Sequence, residues 1–193
     1  MRKRLALLLA LCLVITGCLT ACGDSAETGE PESQEQEATN GETVDVGDFT
    51  VFVPAGWMKL PMTDAFGEQD AEGNYPIRTD YYGMIKGGEA EFDAFTKPTV
   101  YVTYYAEEGA EEQAEYLDIF YEEVTPIDVT VNGQKVTAFT CKDSTGWTHQ
   151  DIYIPLTDSS CFQVDIPVDM DGTPGVSFED ADVMAIMESL TVK

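Results

Sequence analysis

The chain has 193 residues, with 36 acids against 10 cations and a formal net charge of −26. So large an acidic excess excludes a nucleic-acid binder, whose affinity comes from neutralising phosphates with Lys and Arg. A single histidine, His149, excludes every mechanism that needs two, and the length leaves room for one ordinary domain once a leader and linker are set aside.

Arg2, Lys3 and Arg4 precede an apolar run over residues 5–15, and small residues then lead to Cys22. This is the order of a secretory signal: the cations stay with the cytoplasmic leaflet while the apolar run enters the bilayer as a helix. The run falls short of the roughly 20 apolar residues a spanning helix needs, and Thr16 and Gly17 weaken its end. Leu19-Thr20-Ala21-Cys22 resembles the lipobox of bacterial lipoprotein precursors. The resemblance implies a signal over residues 1–21, cleavage just before Cys22 and a diacylglycerol on its thiol. Ile15-Thr16-Gly17-Cys18 fits a looser form of the pattern, but it shortens the apolar run and puts Leu19, Thr20 and Ala21 at the mature start. Two acyl chains anchor stably where one binds only marginally. The expected location is therefore the extracytoplasmic face of the cell membrane, held there by lipid.

Residues 23–42 are polar, Gly or Pro except for Ala26 and Ala38. Such a segment cannot bury enough apolar surface to offset the entropy of ordering, so residues 22–43 are expected to form an acidic tether and residues 44–193 a single globular domain. Loss of the three leader cations takes the charge from −26 to −29 and leaves Lys59, Arg78, Lys86, Lys97, Lys135, Lys142 and Lys193. A basic protein, a cationic peptide or a divalent ion is then the electrostatically easier partner, although acidity also simply keeps a surface protein soluble.

Within the domain, residues 49–53 (FTVFV) form a β-rich run stopped by Pro54-Ala55-Gly56, and residues 81–86 and 99–105 are further strands, the last alternating Val100, Val102 and Tyr104. A helix is expected over 110–124, where Ala114, Leu117, Tyr121 and Val124 recur at helical spacing before Pro126. A second is expected near the end of the chain, with Ser177 capping its first turn and Val183, Ile186, Met187 and Leu190 on one stripe.

The stretch 127–168 reads as a four-strand meander whose register can be derived. Asn132-Gly133 is the strongest short hairpin signal, because both positions of a type I′ turn need positive φ. It pairs Val131 with Gln134, Val129 with Val136 and Ile127 with Ala138. Ser144-Thr145-Gly146 then pairs Ala138 with Ile152 and Val136 with Ile154. A third turn at Asp158-Ser159-Ser160 sets Leu156 opposite Phe162 and Ile154 opposite Val164. Cys141 then faces His149 while Cys161 faces Thr157, on the order of 27 Å apart along the middle strand. A disulfide tolerates only about 7 Å between Cα atoms, so no Cys141–Cys161 bond is expected.

The second face of this meander gathers Phe139, Cys141, Trp147, His149, Asp151 and Tyr153. Cys141, His149, Asp151 and Trp147 form the candidate cluster, as a Cys/His/Asp metal site or a cysteine nucleophile with its base. Three aromatics and a cysteine on one sheet face equally describe a second core layer with histidine at its wet edge, and no fourth metal ligand stands nearby. No cofactor is implied. Asp169-Met170-Asp171-Gly172 and residues 70–74 offer oxygens near a glycine but complete no calcium loop.

Residues 48–57 (DFTVFVPAGW), a meander after a middle helix, and a last helix ending Met187-Glu188-Ser189-Leu190 resemble the PsbP/Mog1-like family over about residues 44–193. The resemblance implies an α+β fold: an antiparallel β-sheet with the C-terminal meander, flanked by helices on both faces. It brings no shared catalytic residues and suggests a binding or accessory module, a fold-level analogy only. Two functions follow as expectations. A non-catalytic binding module predicts an exposed aromatic patch and no buried, strongly perturbed titratable group. A carboxylate-dependent hydrolase of envelope or dietary glycan predicts two carboxyls converging in a deep pocket, one with a raised pKa.

Overall fold

The computed structural model of the protein describes residues 40–193. The expected signal, most of the expected tether, and the readings of Leu19, Thr20, Ala21 and Cys22 lie outside the described residues.

The first half of the domain runs through β1 (Gly41–Asp45), β2 (Phe49–Pro54), β3 (Trp57–Thr63), β4 (Ile77–Lys86), a 3₁₀ turn (Glu91–Phe95) and β5 (Thr99–Tyr105). Two short helices follow, α1 (Ala110–Glu115) and α2 (Leu117–Phe120). The second half holds β6 (Glu123–Pro126), β7 (Val129–Val131), β8 (Gln134–Lys142), β9 (Thr148–Thr157), β10 (Ser160–Met170), β11 (Thr173–Pro174), α3 (Ala181–Ser189) and β12 (Thr191–Val192). A three-stranded sheet has the order β1-β2-β12, and a nine-stranded sheet runs β3-β4-β5-β10-β9-β8-β6, with β11 on β10 and β7 on β8. Strand β1 starts inside the segment expected as tether, pairing Gly41 with Pro54 through to Asp45 with Thr50. An edge strand needs main-chain partners more than apolar side chains, and only Val44 and Val46 of this region pack on the core.

The expected α+β sheet with helices on both faces is overturned: the domain is mostly antiparallel β, in sheets of three and nine strands, with helix confined to short pieces. The helix expected over 110–124 stops at Glu115, resumes for four residues and gives way to β6, which pairs Val124 with Cys141 and Pro126 with Phe139. Gly109 offers no side-chain cap, and the last turns of α1 and α2 hold no basic residue against the helix dipole. Val124-Thr125-Pro126 favours an extended edge strand instead. Helix α3 starts after Asp180, so Ser177 does not cap it; the backbone N–H of Ser177 donates to the Asp180 carboxylate at 2.8 Å.

The main core lies between one face of the large sheet and a layer made of β2 and α3. Phe49, Val51 and Val53 from β2 and Val183, Ile186 and Met187 from α3 meet Met84, Val100, Val102, Ala138, Ile152, Phe162, Val164 and Ile166. Phe49 packs edge-on against Phe162, ring centroids 5.4 Å apart. Strand alternation sends the intervening residues to the opposite face. There Cys141, Tyr153 and Cys161 pack under Ala110 and Leu117, and a smaller cluster holds Leu60, Ile85 and Ala94.

The meander forms as β7 to β10. Val131 pairs with Gln134, Val129 with Val136, and Ala138 with Ile152, while Asn132 and Gly133 take φ of 51° and 75°. The third hairpin departs from the derived register. Ser160 pairs with Thr157, a bulge follows, and Phe162 then faces Ile154 and Val164 faces Ile152. The pairing has slipped by two residues, which preserves every side chain's face and leaves Leu156 exposed. Cys161 accordingly faces Pro155, while Cys141 faces His149. Both thiols are buried and unbonded. Among the described residues no helix is long and apolar enough to cross a membrane.

Candidate functional site

Strand β9 alternates His149, Asp151 and Tyr153 onto the second face of the large sheet, beside Cys141 from β8. Its neighbour β10 contributes Gln163 and Asp165, and Asp165 stands directly opposite Asp151. The turn before β9 is built on Asp143: its Oδ1 accepts hydrogen bonds from the Thr145 backbone N–H at 2.9 Å, the Thr145 hydroxyl at 2.6 Å and the Trp147 N–H at 2.9 Å. Gly146, at φ 94°, completes the reversal and delivers Trp147 to the face.

These residues form one polar cluster. The His149 Nδ1–H donates to Asp165 Oδ1 at 2.9 Å, and His149 Nε2 lies 3.6 Å from Asp143 Oδ2 without a hydrogen-bond partner. Asp151 is fully buried. Its Oδ1 accepts from Gln163 Nε2 at 2.5 Å, and Gln163 Oε1 in turn accepts from the Tyr105 hydroxyl at 3.0 Å. Oδ2 of Asp151 makes no hydrogen bond, with the Tyr121 phenol beside it.

Burial, then the facing charge of Asp165, pushes the Asp151 carboxyl up from 3.8 to about 7, against the pull of Gln163, Tyr121 and His149. For His149, burial alone would lower the pKa; the hydrogen bond to Asp165 and the charges of Asp165, Asp151 and Asp143 outweigh it, so the net shift is upward. The Asp143 carboxyl, drawn up by burial, is pulled below its ordinary value by the Thr145 and Trp147 hydrogen bonds and by His149. Burial and the Asp151, Asp165 and Asp118 charges push the Cys141 thiol up to about 12.

Burial and these charges favour the protonated thiol, the reverse of the depressed pKa that marks a cysteine nucleophile. Among the described residues no group of three His, Cys, Asp or Glu is placed to hold a metal ion. The cluster instead holds protons in the interior: a histidine drawn toward its charged form and a carboxyl drawn toward its neutral one.

Above this cluster runs a row of rings. Phe92 and Phe95 of the 3₁₀ turn have centroids 6.4 Å apart; Phe95 meets Trp147 at 6.4 Å, Trp147 meets His149 at 6.4 Å, and His149 meets Tyr121 at 5.5 Å. Phe92 is 81% exposed and Phe95 62%; on α2, Ile119 and Phe120, just before Tyr121, are 70% and 71% exposed.

All four residues of the candidate cluster thus share the expected face, with Cys141 and Asp151 in its interior, His149 at the boundary and Trp147 outermost. Asp143, Asp165, Gln163, Tyr105, Tyr121 and the two phenylalanines were missed. The derived register set Asp151 opposite Pro167, so the two-residue slip hid Asp165. The remaining acidic motifs are turns: Asp70 accepts from the Glu72 and Asn74 N–H groups, and Asp169 from the Gly172 N–H. The sequence matches no family model and no curated protein relative.

Proposed function

We propose that the protein is a lipid-anchored extracytoplasmic binding module that engages its ligand through the row Phe92–Phe95–Trp147–His149–Tyr121. The row itself is the supporting observation. Phe92 and Phe95 are exposed, Trp147 and Tyr121 half-buried and His149 buried beneath them; fully burying one large apolar side chain is worth roughly 1.5–3 kcal/mol, and exposed rings backed by half-buried ones are where interfaces concentrate binding energy. The anchoring half of the proposal rests on the lipobox-like Leu19-Thr20-Ala21-Cys22.

The buried Asp151, its raised carboxyl facing Asp165, departs from the expectation that a binding module holds no such group, and the hydrolase reading draws on it. Against it stands the complete burial of Asp151 and its engagement by Gln163, which leave no route for a glycosidic oxygen to reach the acid.

The test is a photo-crosslinking amino acid placed at Phe95 in the full-length protein in its own host, with Phe66, fully exposed on another loop, as the control position. Adducts at Phe95 and none at Phe66 are expected, in the membrane fraction for the wild-type anchor and in the released fraction for Cys22→Ala. Equal labelling at both positions would sink the binding-surface reading. Release of the wild-type protein without a diacylglycerol mass on Cys22 would sink the anchor.

A further inference from the structure

We infer that the aromatic row is a docking surface for a cationic polypeptide segment, one that interleaves Arg or Lys with apolar side chains. The inference deepens the binding-module reading and rests on it.

Charge is the first ground. Of the seven cations among the described residues, six already sit against carboxylates: Lys59 on Glu42, Arg78 on Asp80, Lys86 on Asp182, Lys97 on Asp93, Lys135 on Asp128 and Lys193 on Asp45. Around the row the acids outnumber their partners. Glu91 flanks Phe92, Glu115 and Asp118 lie on α1 and α2, Glu122 follows Tyr121, and Asp143 and Asp165 lie beneath Trp147 and His149. Lys97 on Asp93 and the exposed Lys142 before Asp143 lie beside the row, but the acids outnumber them, so a polyanion meets net repulsion and a basic segment a net attractive field.

Ring geometry is the second. Phe95 and Trp147 cross at 64° and Phe92 and Phe95 at 33°, so the exposed rings make no flat platform for a sugar, and phenylalanine brings no polar handle for hydroxyls. Crossed rings leave clefts that accept aliphatic side chains, and their faces attract guanidinium and ammonium groups.

The experiment measures fluorescence anisotropy of a fluorescein-labelled twelve-residue peptide alternating Arg and Leu against the full chain, at about 150 mM salt to screen distant charges. Controls are Glu/Leu and Ser/Leu peptides of the same length and a labelled chitohexaose. The Arg/Leu peptide alone is expected to bind, and the Phe92→Ala/Phe95→Ala double variant, exposed at both positions and so folded, is expected to weaken it about tenfold, the loss of one interfacial anchor. Two outcomes overturn the inference: Arg/Leu binding that ignores the double variant, which is diffuse attraction to an acidic protein, or equal binding of the neutral peptide or the sugar. A negative result with all four probes overturns it as well, and the Phe95 crosslink then decides whether the binding-module reading survives on another ligand.

Discussion

Replacing Asp151 with Asn asks directly whether the buried carboxyl titrates as its surroundings demand. In the wild-type protein its pKa rises from 3.8 to about 7 on folding, through burial and the facing Asp165. Below 3.8 the carboxyl is neutral in both states. Between 3.8 and about 7 the folded chain keeps a proton that the unfolded chain has released, so stability falls as pH rises through this window and levels off above it. The full difference corresponds to about 4 kcal/mol. Facing the carboxyl are Asp165 from β10, His149 on its own strand, Tyr121 from the segment after α2, Tyr153 and Cys141. His149 adds a slope near neutrality. Its pKa is raised on folding, so its contribution is complete below 6.5 and is also lost as pH climbs through the folded value. Asn mimics the neutral acid in shape and keeps an oxygen for the Gln163 N–H. Urea unfolding at half-unit steps from pH 4.5 to 8.5 is therefore expected to show the two proteins close together at the acid end and Asp151→Asn ahead by about 2–4 kcal/mol at pH 8. The comparison cancels the general repulsion of an acidic chain, which both proteins share. A constant offset, or a variant that is weaker at pH 8, refutes the assignment.

Phe162→Ala, which empties the centre of the main core between Phe49 and Tyr104, is expected to cost about 3–5 kcal/mol by denaturant titration. Gly133→Val places a β-branched residue at φ 75° with open space around it. The cost is then conformational alone, about 1–2 kcal/mol, and Gly133→Asn should recover most of it. Cys141 and Cys161, both buried and pushed up to about 12 and about 11, should resist an aqueous thiol reagent in the native protein and react on unfolding. Peptide mapping by mass reads both sites, and a linked Cys141–Cys161 peptide from unreduced protein would contradict the register.

The meander was legible because two independent signals agreed in it. Asn132-Gly133 fixed a turn, and apolar alternation on either side fixed which faces met, so the pairings of Val129 with Val136 and Ala138 with Ile152 could be derived from residues alone. The third hairpin was not legible, since alternation has a period of two and a slip of two residues changes no side chain's face. Only the turn geometry at Thr157 and Ser160, with the bulge after it, selects the observed pairing. That slip brings Asp165 opposite Asp151, so the most perturbed group of the site was invisible for a local backbone reason. The helix at 110–124 failed differently. Its stripe was real, and Leu117 is buried as the spacing demands, but without a cap and with acids in its later turns, it could not hold together. Phe92 and Phe95 carried no sequence signal, because an exposed ring and a core ring read alike until the fold places them.

The broken helix and the exposed rings are connected. A continuous helix over 110–124 would run about 22 Å at 1.5 Å per residue, enough to lie along the second sheet face from Cys161 toward the Cys141 end. Instead α1 holds six residues and α2 four, and the chain leaves as an edge strand. The apolar cluster of that face, Cys161, Tyr153 and Cys141, still receives Ala110 and Leu117 as cover. Over His149, which pairs across from Cys141, the roof is the ring row itself, with Trp147 stacked on the imidazole and Tyr121 tilted against it. Two carboxylates suit this arrangement, because they tie the roof down. Asp143 holds the Trp147 N–H and faces His149, and Asp165 holds the other nitrogen of the same imidazole. Under the proposed binding reading, Trp147, anchored through this hydrogen-bonded base, loses little further entropy when a partner covers it, so the broken helix leaves a partly preorganised surface.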